Sequence, residues 1–313
     1  MGIPPLLRAA YRPIEPALQL TDQELSERVL RGFPLPIPGF VLSGKRLRPA
    51  ALLLAARAFG DGHRRAAILA AGIELIHASS LVHDDVVDHS RFRRNMTALH
   101  EQYGSHFAVL AGDYLFTRGL QAIQEAGNSE ILEETLNAVA EMVEGEVEEE
   151  VLEPEVQLQE PVYLRIIEKK TASLFRCATT VGALYRGLEG EELELYRRIG
   201  LAYGMAYQIV DDCHDLFSDE DPDAEEKKIT LPTIRAFQKG LLTSWEDTEP
   251  LDRLKQAILE AGGFEYSGAR AEAYIQQGLD LVRRISDPDL REALENFFEY
   301  LRQKNQALIQ QFS

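Results

Sequence analysis

Cysteine is scarce. The 313 residues hold two, Cys177 and Cys213, in no CxxC or other zinc spacing, which removes a disulfide framework and a structural zinc from consideration. Positive charge is short as well: 33 Lys and Arg against 51 Asp and Glu leave a net charge of −18. A phosphate backbone needs a basic surface, so nucleic acid is not an expected partner. No apolar run is long and clean enough for a bilayer: the longest, Ala66 to Val82, is interrupted by Glu74 and His77 and runs into aspartates, so it reads as a central core helix. Residues 1–20 carry Arg8 and Arg12 but also Pro4, Pro5 and Pro13, without the continuous apolar stretch of a signal peptide, and a cytoplasmic location is the default expectation. Period-two alternation between turn dipeptides is missing, so no strands are expected. A Gly-rich nucleotide loop and a low-complexity linker are missing too.

What fills the chain is helical periodicity. Apolar residues recur at three- and four-residue spacing over 50–59, 66–87, 107–123, 131–151, 162–184, 192–216, 251–261, 269–285 and 290–309. The breaks carry helix-ending or helix-starting residues: Gly60-Asp61-Gly62, Gly127-Asn128, Pro154, Gly187, Gly262-Gly263 and an Asp287-Pro288 start. With 45% hydrophobic residues the chain can bury a large core. The expected architecture is all-α, a single-domain helical bundle over residues 1–313 around a central cavity.

Two of these helices carry acid. Asp84-Asp85-x-x-Asp88 recurs 127 residues later as Asp211-Asp212-x-x-Asp215. Residues four apart share a helix face, so Asp84 pairs with Asp88 and Asp211 with Asp215. A solvated acidic face is the ordinary explanation of one such cluster, but two of identical spacing inside apolar runs would bury charge at high cost without a partner. Facing each other, the two rows make a set of oxygen ligands suited to a hard cation such as Mg²⁺, which keeps coordination sites for water or substrate phosphates. The residues thus point to a polyphosphate held between acidic helices by metal ions.

Cations sit close by in sequence. Gly44-Lys45-Arg46-Leu47-Arg48-Pro49 precedes a core helix, and Arg93-Arg94 follows the first aspartate cluster. Guanidinium groups bind phosphate in a forked geometry, so this set reads as a second, metal-independent anion pocket, or else as surface charge at a helix start. Lys169-Lys170-Thr171 and Gln208 lie on helices otherwise apolar inward. Gln208 shares a face with Asp211 and is either a cavity residue or a satisfied core amide. The acidic run Glu144 to Glu153 is expected to be a solvated helix end without direct chemistry.

The ordered motifs Gly44-Lys45-Arg46-Leu47-Arg48-Pro49, Glu74-Leu75-Ile76-His77, His83-Asp84-Asp85-Val86-Val87-Asp88, Arg93-Arg94, Ala111-Gly112-Asp113-Tyr114, Lys170-Thr171-Ala172, Gln208-Ile209-Val210-Asp211-Asp212 and Lys228-Ile229-Thr230-Leu231-Pro232 resemble those of the trans-isoprenyl diphosphate synthases, the polyprenyl synthetase family. They run in family order from about residue 40 to 237. The resemblance implies that Asp84, Asp88 and Asp211 bind Mg²⁺, with Asp85, Asp212 and Asp215 as further ligands or their supports. It gives Arg93 to the diphosphate of an allylic substrate, and Lys45, Arg48, His77 and Arg94 to isopentenyl diphosphate. Lys228 adds a diphosphate contact, and Lys170, Thr171 and Gln208 line the pocket where the allylic cation forms. It implies prenyltransfer, a homodimer, and transient membrane contact through a membrane-seeking product.

Ser79 and Ser80, five and four residues before Asp84, are expected to floor the allylic pocket. Short-chain relatives carry bulky aromatics there, so the product is expected at geranylgeranyl length or longer, with Tyr114 and Phe116 as candidates for a deeper stop. Some features depart from the family. The loop after the second cluster, residues 218–226, is short and acidic and lacks a Gly-Lys element, for which Lys227 is the nearest substitute. Asn95-Met96-Thr97 replaces Gly-x-Pro-Thr, and Cys213 and His214 interrupt the second cluster. A terpene cyclase of the same fold, and a non-catalytic or partner-dependent subunit of a heteromeric prenyl synthase, stand as alternatives. A His-Asp phosphohydrolase would leave the second cluster idle, and a di-iron bundle would need a second Glu-x-x-His.

Overall fold

The computed structural model describes residues 3–30, 39, 43–93, 96–216, 229–244 and 251–312, and these are overwhelmingly helical. In chain order they form α1 (Pro5–Tyr11), α2 (Glu15–Leu30), α3 (Leu47–Ala55) and α4 (Arg64–Val87). A two-residue strand pair, β1 (Phe92–Arg93) and β2 (Met96–Thr97), leads to α5 (Leu99–Tyr103), α6 (Ser105–Gln124), α7 (Ser129–Val151) and α8 (Pro154–Gln157). Then come α9 (Glu160–Ile167), α10 (Ser173–Tyr185), α11 (Gly190–Asp215), α12 (Leu231–Gln238), α13 (Leu251–Glu260), α14 (Gly263–Val282) and α15 (Pro288–Phe312).

The centre of the bundle is α4. It is apolar on nearly every side because α2, α3, α6 and α10 pack around it. By length and composition it could cross a membrane, yet 72% of its most apolar stretch is buried inside the protein. The helix starts follow capping chemistry. The Asn128 side chain accepts from the backbone N–H groups of Glu130 (2.8 Å) and Ile131 (3.4 Å). Asp287 does the same for Asp289 (3.1 Å) and Leu290 (3.2 Å) ahead of α15.

The strand pair corrects the strand-free expectation. Phe92 lies opposite Thr97 in an antiparallel ladder, and two residues per strand carry no alternation for a periodicity argument to find. Helices α1, α2 and α12 also lie outside the expected runs. Each is short or proline-led, or has a weak apolar face. One expected helix, over 162–184, is broken: α9 and α10 are joined by a π-helical turn, Glu168–Ala172. Such wider turns cluster at functional sites because they re-aim side chains within a continuous rod. Two neighbouring helices touch this turn through glycine. A Cβ on Gly145 of α7 would lie 2.7 Å from the Lys170 backbone nitrogen, and one on Gly204 of α11 would lie 2.6 Å from Ala172 Cα.

An apolar stripe on the outside of the bundle is left uncovered. Leu136, Val143, Val147 and Val151 share one face of α7 and are 45–68% exposed, with Leu110 of the adjacent α6 at 64%.

The Gly204 contact generates a prediction. Gly204→Ala has no room against backbone, so it should cost about 1–3 kcal/mol, the usual range for overpacking, read as a lower denaturation midpoint. It should also lower activity by displacing Thr171. An unchanged midpoint would show that the crossing is looser than described.

Candidate active site

A cavity of about 360 Å³ opens between α4 and α11, closed on one flank by α7, α9 and the π turn. Its lining places the two aspartate rows on facing walls. Asp84 and Asp88 come from the end of α4, with His77 and Ser80 deeper along the same helix, while Asp211, Asp212 and Asp215 come from the end of α11. Arg48, Arg93, Lys170, Thr171 and Gln208 complete it, so most of the expected site residues do meet.

The polar contacts divide the carboxylates. Asp85 points away from the cavity, is only 2% exposed, and accepts from Arg93 Nε (2.6 Å) and Nη2 (2.6 Å), so it aims Arg93 at the cavity. Asp212 accepts from the Tyr163 hydroxyl (2.6 Å) and from Gln208 Nε2 (2.6 Å). The Thr171 hydroxyl in turn donates to Gln208 Oε1 (2.7 Å). This chain of donors settles which way the Gln208 amide faces. It also shows that Gln208 is a member of the site and not an isolated core amide. Burial pushes the Asp212 carboxyl up to about 7, with Tyr163 and Gln208 opposing the rise. Burial likewise pushes Asp84 up to about 7; Glu146 adds to the rise and Lys170 opposes it.

Lys170 departs from what its sequence context suggested. Its ammonium lies between Glu146 (2.7 Å) and Glu149 (2.6 Å), both on α7. Glu148 takes Lys169 (3.2 Å) and Arg165, and Glu144 takes Lys169 (3.4 Å). The acidic run is therefore not merely a solvated helix end. Residues 146 and 149 share the face that packs on the π turn, and Glu149 is part of the cavity wall. Sequence reasoning missed Glu146, Glu149 and Tyr163. The available signal was the pairing of an acidic run with the Lys169-Lys170 dipeptide on a neighbouring helix.

On the other flank, Arg48 lies with its guanidinium 4.5 Å from the Phe175 ring centroid and Nη1 3.1 Å from His77 Nε2. Lys45 is exposed outside the cavity wall, with Nζ 5.9 Å from the Tyr300 ring centroid. Arg46 turns inward instead, in a left-handed conformation (φ 56°, ψ 38°) that costs a non-glycine residue about 1 kcal/mol. Arg94 and Lys228, like Asn95 and the whole 218–226 loop with Lys227, lie outside the described residues.

Ser79 does not line the cavity. Its hydroxyl donates to the Gly112 carbonyl on α6 at 2.9 Å. Each residue turns a helix by about 100°, so a residue five before Asp84 sits about 140° away from it, while Ser80, four before, stays on the cavity side. Tyr114 and Phe116 are not cavity residues either: the Tyr114 hydroxyl donates to the Arg28 carbonyl (3.2 Å), and Phe116 packs against the main core. Cys213 is buried among the apolar residues of α12, α13 and α14. His214 is held below its ordinary pKa by burial and by Lys304. Among the described residues no three His, Cys, Asp or Glu side chains converge on one point. A metal ion held between the rows would complete its shell with oxygens from water or from a ligand such as a diphosphate.

The fold and site together define an almost wholly helical protein whose central cavity brings acidic rows, cations and apolar side chains such as Leu81, Ile166 and Ile167 together, a site suited to an anionic, diphosphate-bearing ligand. Residues 37–258 match the polyprenyl synthetase family model. A short chain isoprenyl diphosphate synthase of Methanothermobacter thermautotrophicus is 33% identical over 281 residues, covering 82% of this chain and 86% of that protein. The octaprenyl diphosphate synthase of Escherichia coli is 32% identical over 268 residues, covering 80% and 83%. The crystal structure of a polyprenyl synthase from Caulobacter crescentus, complexed with calcium and isoprenyl diphosphate, superposes with a TM-score of 0.85 at 29% identity, covering 95% of this chain and 97% of that one. The chain belongs to the polyprenyl synthetase family, and it is a prenyltransferase, a trans-prenyl diphosphate synthase.

The raised carboxyls carry a pH signature. Asp84 and Asp212 titrate near 7 when folded against an ordinary 3.8, so ionising them costs folding stability. That cost is absent below about pH 4, grows between 4 and 7, and is constant above. Metal-free protein should therefore lose thermal stability as the pH rises from 5 to 7.5. Asp84→Asn should lose less, and a millimolar divalent cation should restore the difference in the unaltered chain. Equal slopes for the two proteins would show that Asp84 ionises normally.

Proposed function

We propose that this chain condenses isopentenyl diphosphate head to tail onto an allylic diphosphate, with Mg²⁺ as the metal, and that its product is of geranylgeranyl length or longer. The observation that carries the reading is the cavity itself, with acid on two facing walls, cations beside them, and apolar side chains, among them Leu81, Met142, Ile166 and Ile167, in the same lining. Asp84, Asp88, Asp211 and Asp215 offer the oxygens that would hold Mg²⁺. The half-buried carboxyl of Asp84 fits that donor set, because a nearby cation would favour its charged form and lower its raised pKa. Bound Mg²⁺ would neutralise charge developing on a departing diphosphate.

The chain's own residues do the rest. Arg93, aimed by Asp85, meets the allylic diphosphate, and Lys170 is drawn toward it from Glu146 and Glu149. The Thr171 hydroxyl and Gln208 amide present oxygen dipoles to an allylic cation. Tyr163, Ile166 and Ile167 exclude water from it. Arg48, His77 and Lys45 hold isopentenyl diphosphate on the opposite flank. A terpene cyclase would have no use for that second cationic site, which favours the synthase.

Ser80 supports the longer product. It is small, lies on the cavity side of α4 one turn below Asp84, and its hydroxyl is occupied by the His77 carbonyl (2.9 Å). One turn of helix is about the length of one isoprene unit, so a plug there would remove about one unit from the product. The exposed stripe on α6 and α7 supports a homodimer, since contiguous apolar surface of this kind is ordinarily covered by a partner.

Purified protein with Mg²⁺, labelled isopentenyl diphosphate and dimethylallyl, geranyl or farnesyl diphosphate should extend to products of 20 carbons or more. Ser80→Phe should shorten them. A product capped at 15 carbons in the unaltered protein would end the length argument while leaving the reaction. Asp84→Asn should lower kcat by about 100-fold or more, the scale of losing one preorganised electrostatic group. For the assembly, the double substitution Val143→Glu with Val147→Glu should convert a dimer to a monomer by light scattering. A dimer that survives it would move the interface elsewhere.

A further inference from the structure

We propose that Arg46 is a positioning residue for isopentenyl diphosphate: its side chain clamps the junction between the loop that presents Lys45 and the first turn of α3, which presents Arg48. The inference rests on the reading of that subsite given above. Three cations fall within four residues, and the structure sends them three ways. Lys45 is exposed, Arg48 enters the cavity wall against His77, and Arg46 is buried, only 8% exposed, and turned away from both.

The Arg46 guanidinium binds protein partners through Nε and Nη1. Nε donates to Asp22 Oδ1 at 2.8 Å, and Nη1 donates to Glu74 Oε1 at 3.0 Å and to the Ser43 carbonyl at 3.0 Å. These partners sit on α2, on α4 and on the loop itself. Glu74 is buried and lies one turn before His77 on α4, so the fork ties the cationic loop to the helix that carries the third residue of the same subsite. The preceding peptide is held too, since the Tyr11 hydroxyl donates to the Lys45 carbonyl at 2.6 Å.

The backbone supports the same conclusion. At φ 56° and ψ 38° Arg46 occupies the left-handed region, where glycine would be unstrained. An arginine persists there only if its surroundings over-determine it, and strain of this kind clusters at sites whose geometry matters. The left-handed residue stands immediately before α3. It turns the chain into the helix, leaving Lys45 exposed before it and Arg48 in the cavity wall two residues after it, while its own side chain faces the core. A buried ion pair is by itself weak evidence for a stabilising role, because apolar residues of similar volume often serve as well. That makes a positioning role separable from a structural one.

The test uses the full-length protein with both diphosphate substrates. Arg46→Met combined with Glu74→Leu replaces the pair without leaving a buried unpaired charge. The expected result is a KM for isopentenyl diphosphate raised about tenfold or more, with the allylic KM within about twofold and the melting temperature close to that of the unaltered protein. Asp22→Asn, at the more exposed end of the clamp, should move the same KM in the same direction by about two- to threefold. Lys45→Ala is the control on the subsite. If Lys45→Ala raises the isopentenyl diphosphate KM while the folded double variant does not, Arg46 is a structural pair and the inference is overturned. If Lys45→Ala changes nothing, the subsite reading falls and takes this inference with it. Should the double variant fail to fold, Asp22→Asn decides alone, and an unchanged KM there overturns the proposal.

Discussion

The structure depends on burying several carboxylates around one narrow cavity inside an apolar shell of helices. Removing a carboxylate from water is costly unless donors or cations replace the solvent, so each acid in the cavity must be matched or left strained. Asp85 is matched by the Arg93 fork, Asp212 by Tyr163 and Gln208, and Glu146 and Glu149 by sharing Lys170. Asp84 meets the charges of Lys170 and Arg93 against those of Glu146 and Asp88, and burial leaves its carboxyl, like that of Asp212, pushed up to about 7. The distribution of partners is what makes one part of the cavity scaffold and another part receptive to an incoming cation and its phosphate ligand.

This electrostatic arrangement is possible because the helices approach closely at chosen points. The π turn at Glu168–Ala172 lies between Gly145 and Gly204, so Lys170 and Thr171 emerge from a backbone confined on two sides. The opposite flank uses a different device, a left-handed arginine whose fork fastens a loop to two helices. One flank is positioned by close backbone packing and the other by a buried polar clamp. Between them, α4 supplies Glu74, His77, Ser80, Asp84 and Asp88 at three- and four-residue spacing, a polar ladder along an otherwise apolar helix.

That ladder explains why so much of the site was legible in advance. A polar residue recurring at helical spacing inside an apolar run has few reasons to be there, and the second aspartate cluster repeated the message. The same regularity misled at Ser79. Adjacent serines look equivalent in a list of residues, but the helix turns one of them toward α6. It also misled at the acidic run, where period alone does not say what the neighbouring helix offers to each face.

The sequence by itself determined most of the long helices, their starts at Asn128 and Asp287, the two acid rows and the family to which the chain belongs, because these follow from local spacing and from residue chemistry. Only the tertiary structure decided which aspartates face the cavity and which support it, that Lys170 is held by Glu146 and Glu149, that Tyr163 fixes Asp212, and that Arg46 turns inward while Lys45 stays exposed and Arg48 lines the cavity. Those facts are contacts between residues from 3 to 49 positions apart, on elements whose relative placement comes from packing and not from any short-range pattern.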